Sequence, residues 1–423
     1  MREVCLEMRK MMRFRSFSVF ASLIFFSIWS ILVVAEERTL SLVEAIQILK
    51  KENPQIRGMK QNAKKEAALV KSQYAPPDPM ISYQELDRGN NTKYWGVSQK
   101  VEFPSSYLAR GSAQKHRARG ADIKYSAMAL KQRGELIYTY YEVYSLGQMI
   151  QFTEANRNAI REVARVAERK YTSGDASQTD SMRAHVEQTS LEAEIRLLQQ
   201  KKTTALSRLK ELLNISQNVS LELSDLDLKS PPLPEFEQSL EGSFDLQIAR
   251  EVYLEADDKK YEARLEFMPD FQVRYQRQFS GLPEDSYILM LEASVPLWFW
   301  GPTGKAQAAQ YEQNQKQAEL LATKNKIDRE RYTLVENLKT QSELLEIYEN
   351  ALIPQAQTSY SATSSSYKAS KASFLDLLER ERFLLGVQIK SYAVLIDYVR
   401  LLTQYELIIG REVIDVESLQ GNL

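Results

Sequence analysis

Cysteine is almost missing from this chain: among 423 residues there is one, Cys5, near the N-terminus. Removal of the leader would leave none. That excludes disulfides, zinc–thiolate sites, a cysteine nucleophile and a lipid anchor on a cysteine at the cleavage point. Histidine is nearly as rare. His116 and His185 stand apart on helical stretches amid polar residues, so no metal site is expected and both read as solvated surface positions. Glycine (15) and proline (13) are sparse, which favours long uninterrupted helices over an all-β or low-complexity chain. An excess of one charge is also absent: the net charge is −1 with no clustered basic face, so nucleic acid is not an expected partner. There is no phosphate-binding glycine loop, metalloprotease helix or serine-centred nucleophile elbow. Ser364-Ser365-Ser366 is a small-residue stretch before a turn. Carboxylates are plentiful, but at helical spacing they describe a solvated coiled-coil face. Neither an enzyme nor a cofactor is expected.

What is present begins with a leader. Arg2, Arg9, Lys10, Arg13 and Arg15 precede an apolar run from Phe17 to Ala35, followed by Glu36-Glu37. Val33-Val34-Ala35 suits a small-residue cleavage site, so residues 1–35 read as a secretory signal peptide. The alternative is a membrane anchor, because the run approaches spanning length. The charged leader is long enough that Met8, Met11 or Met12 could be the true start.

A short pattern then occurs twice. Residues 171–180 read Tyr-Thr-Ser-Gly-Asp-Ala-Ser-Gln-Thr-Asp and residues 367–376 read Tyr-Lys-Ala-Ser-Lys-Ala-Ser-Phe-Leu-Asp. Tyr171/Tyr367, Ala176/Ala372, Ser177/Ser373 and Asp180/Asp376 coincide at a constant offset of 196. Matched surroundings make this an internal duplication.

Each copy lies in the same order of elements. Residues 39–76 read as a helix with Leu42, Val43, Ala45, Ile46 and Leu49 on one face, ended by Pro76-Pro77-Asp78-Pro79. Trp95, Val97, Gln99, Val101 and Phe103 then alternate with Tyr94, Gly96, Ser98, Lys100 and Glu102, the period of a two-faced strand. Met80–Leu86 is its partner across the turn residues 87–91, giving a hairpin over 79–104. No proline intervenes from Ser105 to Tyr171. A helix of that length runs about 100 Å and needs a coiled coil or stacked helical barrel to cover it. The return helix reaches Leu213, with Leu191, Ile195, Leu198, Ala205, Leu209 and Leu212 as a seam broken only by Lys202.

Proline-rich residues 231–241 form the expected linker between a first repeat, 36–230, and a second, 242–410. The second repeat has a helix over about 243–266 and a hairpin over 269–298, where Tyr287, Leu289, Leu291, Ala293, Val295 and Leu297 mark the clearest strand. A long helix from Gly301-Pro302 to about Ser366 follows, kinked at Pro354. The last helix carries Phe374, Leu378, Leu385, Ile389, Tyr392, Ile396 and Val399 as its seam, and residues 411–423 read as a short, polar, loose tail.

Four such strands cannot close a barrel alone, and their apolar faces would be left exposed. A β-structure crossing a membrane must close on itself, with an apolar outer face and aromatic girdles. Tyr94, Trp95, Trp298, Phe299 and Trp300 sit at strand ends and are candidates for that belt; their plainer reading is core packing. Closure then requires several copies of the chain. The competing reading is an exported soluble coiled-coil spacer or adaptor, yet no lipoyl-like or β-barrel domain lies between the helices.

The order of elements and the doubled turn resemble the TolC family of outer-membrane efflux channels. So do Asn53-Pro54, Val97-Ser98-Gln99 running to Phe103-Pro104, and Ile353-Pro354-Gln355-Ala356. The resemblance spans roughly residues 39–410. It implies a mainly α fold with a membrane β-barrel portion: an internally duplicated long-helix tunnel in the periplasm, with four strands per chain completing a twelve-stranded barrel in a homotrimer. It further implies docking to a periplasmic adaptor protein and an inner-membrane pump, in a passive exit duct for small molecules, drugs or metal ions. At the tunnel's far tip it implicates Tyr171, Gly174, Thr179 and Asp180, with Tyr367, Asp376 and Glu379 in the second copy. There the family's glycine is Ser370 and its arginine is Ala372, so the lock on the gate would be weaker or built differently, with Lys368 or Lys371 as substitutes. Asp180 and Asp376 either cap the return helices or line the opening, where an acidic ring would favour cations.

Overall fold

The computed structural model describes residues 38–86, 92–172, 177–224, 228–279, 286–369 and 371–419. The leader, both hairpin turns, Gly174 and Ser370 lie outside the described residues. The elements are β1 (Arg38–Leu40), α1 (Leu42–Glu52), α2 (Pro54–Gln73), β2 (Met80–Leu86), β3 (Thr92–Val101), α3 (Pro104–Thr172), α4 (Gln178–Leu212), β4 (Leu221–Leu223), α5 (Phe244–Leu265), β5 (Asp270–Phe279), β6 (Ser286–Ser294), α6 (Trp300–Ile347), α7 (Ile353–Lys368), α8 (Phe374–Ile409) and α9 (Val416–Leu419). No helix among the described residues is long and apolar enough to cross a membrane.

The helix expected over 39–76 is two helices. Asn53 ends α1 and caps α2, accepting from the Gln55 and Ile56 amides at 3.0 and 3.1 Å. Its Nδ2 donates to the Leu212 carbonyl at 2.9 Å, tying this corner to the end of α4. Pro54 at the first helical position needs no amide partner. α3 is one continuous helix of 69 residues, as the lack of proline predicts. The second long helix breaks in another way. Five residues, Tyr348–Leu352, form a π-turn directly before Pro354, and the Ile353 amide reaches back to Tyr348. The wider turn makes room for a proline ring that would otherwise crowd the carbonyl one turn earlier.

The four longer strands form one antiparallel sheet in the order β2-β3-β5-β6. Its register sorts the side chains cleanly. One face carries the rows Tyr83–Trp95–Arg277–Tyr287, Ile81–Val97–Tyr275–Leu289 and Gln99–Val273–Leu291. The other carries Gln84–Tyr94–Gln278–Ser286, Met80–Ser98–Arg274–Met290 and Lys100–Gln272–Glu292. Lys100–Asp270 and Arg274–Glu292 ion pairs, at 2.9 and 3.8 Å, lie across this polar face. β6 ends at Ser294, so Val295 and Leu297 lie beyond the ladder rather than on the strand.

The main core packs α1, α3, α4, α6 and α8 around Leu136, Ile137, Tyr140, Tyr141, Tyr398 and Tyr405. Its tyrosine hydroxyls hold the connecting segments: Tyr140 donates to the Leu40 carbonyl and Tyr141 to the Lys229 carbonyl, at 2.8 and 2.7 Å, while Tyr405 accepts from the Glu237 amide at 2.8 Å. The linker expected at 231–241 is therefore not free: Tyr405 holds its Glu237 amide, and the chain before it is anchored as well. β4 pairs in parallel with β1, and Leu228 is buried. Nor is the tail loose over its described residues, 411–419. Gly410, at φ 74°, stops α8 where a side chain would strike the Gly242 carbonyl. The chain then turns back to bury Ile414, Val416 and Leu419.

Candidate functional site

Both helical hairpins reverse inside the duplicated motif, and their shared serine explains why. Ser177 is the N-cap of α4, accepting from the Thr179 amide at 3.1 Å. Ser373 is the N-cap of α8, accepting from the Asp376 amide at 3.1 Å, and Asp376 accepts in return from the Ser373 amide and hydroxyl at 3.2 and 2.7 Å. This is a full capping box, and its hydrogen bonds from the Ser373 side chain and backbone hold the Asp376 carboxyl below the usual carboxylate range. The repeated Ser-x-x-Asp is thus a helix-restart signal, readable from the spacing alone. The first copy uses it differently: Asp180 faces Arg183 at 3.9 Å.

The two tyrosines of the motif also part ways. Tyr367 is buried, meeting Phe374 edge-on at 6.1 Å. Burial pushes its hydroxyl up, and the charge of Asp180 adds to the effect. The structure thus brings Tyr367 of the second copy to Asp180 of the first. Tyr171, Thr179 and Glu379 are exposed, and Asp376 faces solvent beside its cap. Ile160 and Ala164 of α3, Ala184 and Leu191 of α4, Tyr367 of α7 and Phe374, Leu377, Leu378 and Leu385 of α8 form one apolar cluster beneath these turns.

Lys368 and Lys371 make no ion pair among the described residues; near these turns Arg382 of α8 donates to Glu187 of α4. Beside it Glu381 is only 3% exposed, and neither of its carboxyl oxygens has a hydrogen-bond partner. Burial pushes that carboxyl up to about 8, with Glu187 adding to the rise and Arg382 opposing it. Sequence reading passed over all three residues. The available signal was an acid, Glu381, inside the run between Leu378 and Leu385 that otherwise reads as seam.

At the opposite end lies the aromatic set. Tyr83 and Trp95 stand 4.9 Å apart and Tyr275 and Tyr287 6.1 Å apart on the apolar sheet face; Trp298, Phe299 and Trp300 are exposed where β6 hands over to α6. Tyr94 is a correction: its place in the register is on the polar face with Gln84, Gln278 and Ser286, so it does not share a belt with Trp95. His116 is also not solvated. Its Nδ1 lies 2.7 Å from Glu251 and its Nε2 3.6 Å from Asp258, pinning α3 to α5. His185 is exposed, with Glu168 at 3.3 Å.

A four-stranded sheet, mainly apolar on one face and mainly polar on the other, joined to paired helices of this length, is a specific architecture, and solved structures share it. Similar are CusC, whose structures describe transmembrane channel formation (TM-score 0.75, 14% identity, 88% of this chain and 92% of that one), and the outer membrane protein VceC from Vibrio cholerae (TM-score 0.72, 16% identity, 88% and 96%). The chain has the TolC-family channel fold. In sequence, this channel-fold chain is 20% identical over 355 residues to the cobalt-zinc-cadmium resistance protein CzcC of Cupriavidus metallidurans, covering 82% of this chain and 84% of that protein. No protein-family profile matches it.

Proposed function

We propose that this protein is a passive outer-membrane exit duct of a tripartite export system. The observation that carries the reading is the sheet. Among the described residues both of its edge strands, β2 and β6, lack a second neighbour, and one face is mainly apolar and exposed, with Ile81 at 77% and Leu291 at 74%. Such a face is stable against lipid, and open edges are not; further copies of the chain would supply the missing neighbours. Three copies give the twelve strands of the barrel, with Trp95 near one interface and Trp298, Phe299 and Trp300 near the other. The helices then extend into the periplasm as a tunnel.

On this reading the turns at 171–180 and 367–376 form the tunnel's gate, with Tyr171, Gly174, Thr179, Asp180, Tyr367, Asp376 and Glu379 around it, and there a periplasmic adaptor and inner-membrane pump engage. The duct performs no catalysis. The name of CzcC supports metal cations as cargo, and acidic groups at a narrow opening favour cations over anions.

The test is fractionation of cells expressing the full chain, mass determination in detergent, and conductance in planar bilayers. A detergent-dependent trimer with steady ion flow is expected. A soluble periplasmic monomer would sink the proposal. For cargo, a strain lacking the protein should lose resistance to cobalt, zinc or cadmium and regain it from the plasmid-borne chain; unchanged metal tolerance would remove the cation reading.

A further inference from the structure

Glu381 is sealed in the seam of α8 with both oxygens unpartnered, at the level where the Arg382–Glu187 ion pair joins α8 to α4. An ionised carboxyl in that position would be costly, and a neutral one, though still short of hydrogen-bond partners, costs far less. We propose that Glu381 is a proton-dependent latch: neutral, it lets α8 pack against α4 and close the end of the bundle; ionised beside Glu187, it loosens that packing.

The groups around it all bear on this. From α4 comes Glu187, a like charge, itself buried. From α7 comes Tyr360, whose hydroxyl is pushed up first by burial and then by the Glu381 charge. α3 contributes Ile160 and Ala164 to this layer, and its nearby Arg157 is turned to Glu192 of α4 at 2.8 Å. On α8 itself Glu379 and Arg380 face solvent, and Arg382 is committed to Glu187 while more than half exposed. Among the described residues the one cation bearing on Glu381 is Arg382, which is already paired with Glu187.

The sign follows from linkage. The carboxyl sits near 8 when packed and near 4.5 when solvated, so the packed end holds a proton that the loosened end releases. Raising the pH between those values favours loosening by about tenfold per pH unit, and the effect levels off above about pH 8. The latch rests on the duct reading only for its consequence in conduction.

Hydrogen exchange on the purified full-length protein, corrected for intrinsic rates, reads it directly. Between about pH 6 and about pH 8, peptides covering 374–390 should lose protection by about tenfold per unit, while 395–409 in the same helix hold theirs. Glu381→Gln should flatten the slope. The same slope in E381Q overturns the latch, and so does a flat profile in the unaltered protein, a result that needs no variant to fold. In planar bilayers the unaltered protein should open more as pH rises and E381Q should not. A correct exchange profile with no conductance at any pH would leave the latch standing and defeat the duct.

Discussion

Arg133 and Glu406 are 273 residues apart in sequence and meet at 3.0 Å with both side chains buried. Arg133 also donates to the Ile414 carbonyl at 2.7 Å, while Glu406 accepts from the Val413 and Ile414 amides at 2.6 and 2.7 Å. This single pair holds α3, α8 and the returning tail. Arg133→Met would leave the Glu406 carboxylate buried with no counter-charge, a change that costs about 3–5 kcal/mol. Lower melting and early proteolysis after Gly410 are expected. Arg133→Met combined with Glu406→Gln should regain part of the loss; equal loss in the two proteins would contradict a charge-based role.

The sheet register makes a sharper prediction. Leu291 lies on the apolar face beside Val273, and Gln272, one residue along β5, lies on the polar face. A cation on a lipid-facing barrel position costs about 2–4 kcal/mol at mid-depth, and one facing the lumen costs little. Leu291→Arg should therefore prevent stable membrane assembly, and Gln272→Arg should leave the oligomer intact on unheated gels. Equal behaviour of the pair would refute the assignment of faces. Val295, beyond the end of β6, should tolerate charge better than Leu291.

Much of this architecture was legible because long helices and two-faced strands announce themselves by period. The seam Leu191, Ile195, Leu198, Ala205, Leu209 and Leu212 is wholly buried, and the alternation around Trp95 and Val97 matches the ladder. What escaped depended on contacts between residues distant in sequence. The tail looks loose in sequence because its polar letters hide Ile414, Val416 and Leu419, whose burial requires Arg133 and Glu406 to fix the turn. His116 looks solvated because Glu251, which lies against it, is 135 residues away. Likewise the Arg382–Glu187 pair is invisible in the sequence, because its partners lie 195 residues apart and Arg382 stands two turns into α8, outside the motif.

The duplicated serines predict a graded pair of variants. Ser373 takes part in a reciprocal box and Ser177 in a single hydrogen bond. Ser373→Ala should cost about 1 kcal/mol, and Ser177→Ala less. The pH dependence has a definite sign. Since the Asp376 carboxyl is lowered by the cap, its contribution is fully present above the ordinary value of 3.8 and is lost as pH falls below that value. Amide protection in the first turn of α8 should follow this course and become insensitive to acid in Ser373→Ala; an unchanged acid response would remove the box.

Asp180 and Asp376 could serve as caps, as an acidic ring, or as both, and one substitution separates the roles. Asparagine three residues after the cap keeps an oxygen that can accept a hydrogen bond and gives up the charge that a helix N-terminus favours. The double variant Asp180→Asn, Asp376→Asn should therefore fold and lose only about 0.3–1 kcal/mol per helix. A ring of carboxylates in a narrow opening attracts cations and slows anions, so removing both charges from each copy should lower the cation preference measured from reversal potentials across a salt gradient. Tyr367 sharpens the expectation, because its hydroxyl is pushed up first by burial and then by the Asp180 charge. Asp180→Asn alone should shift Tyr367 ionisation, followed by ultraviolet absorbance, back toward the ordinary tyrosine range, whereas Asp376→Asn should not. Unchanged selectivity in the double variant would leave both aspartates as helix caps outside the ion path.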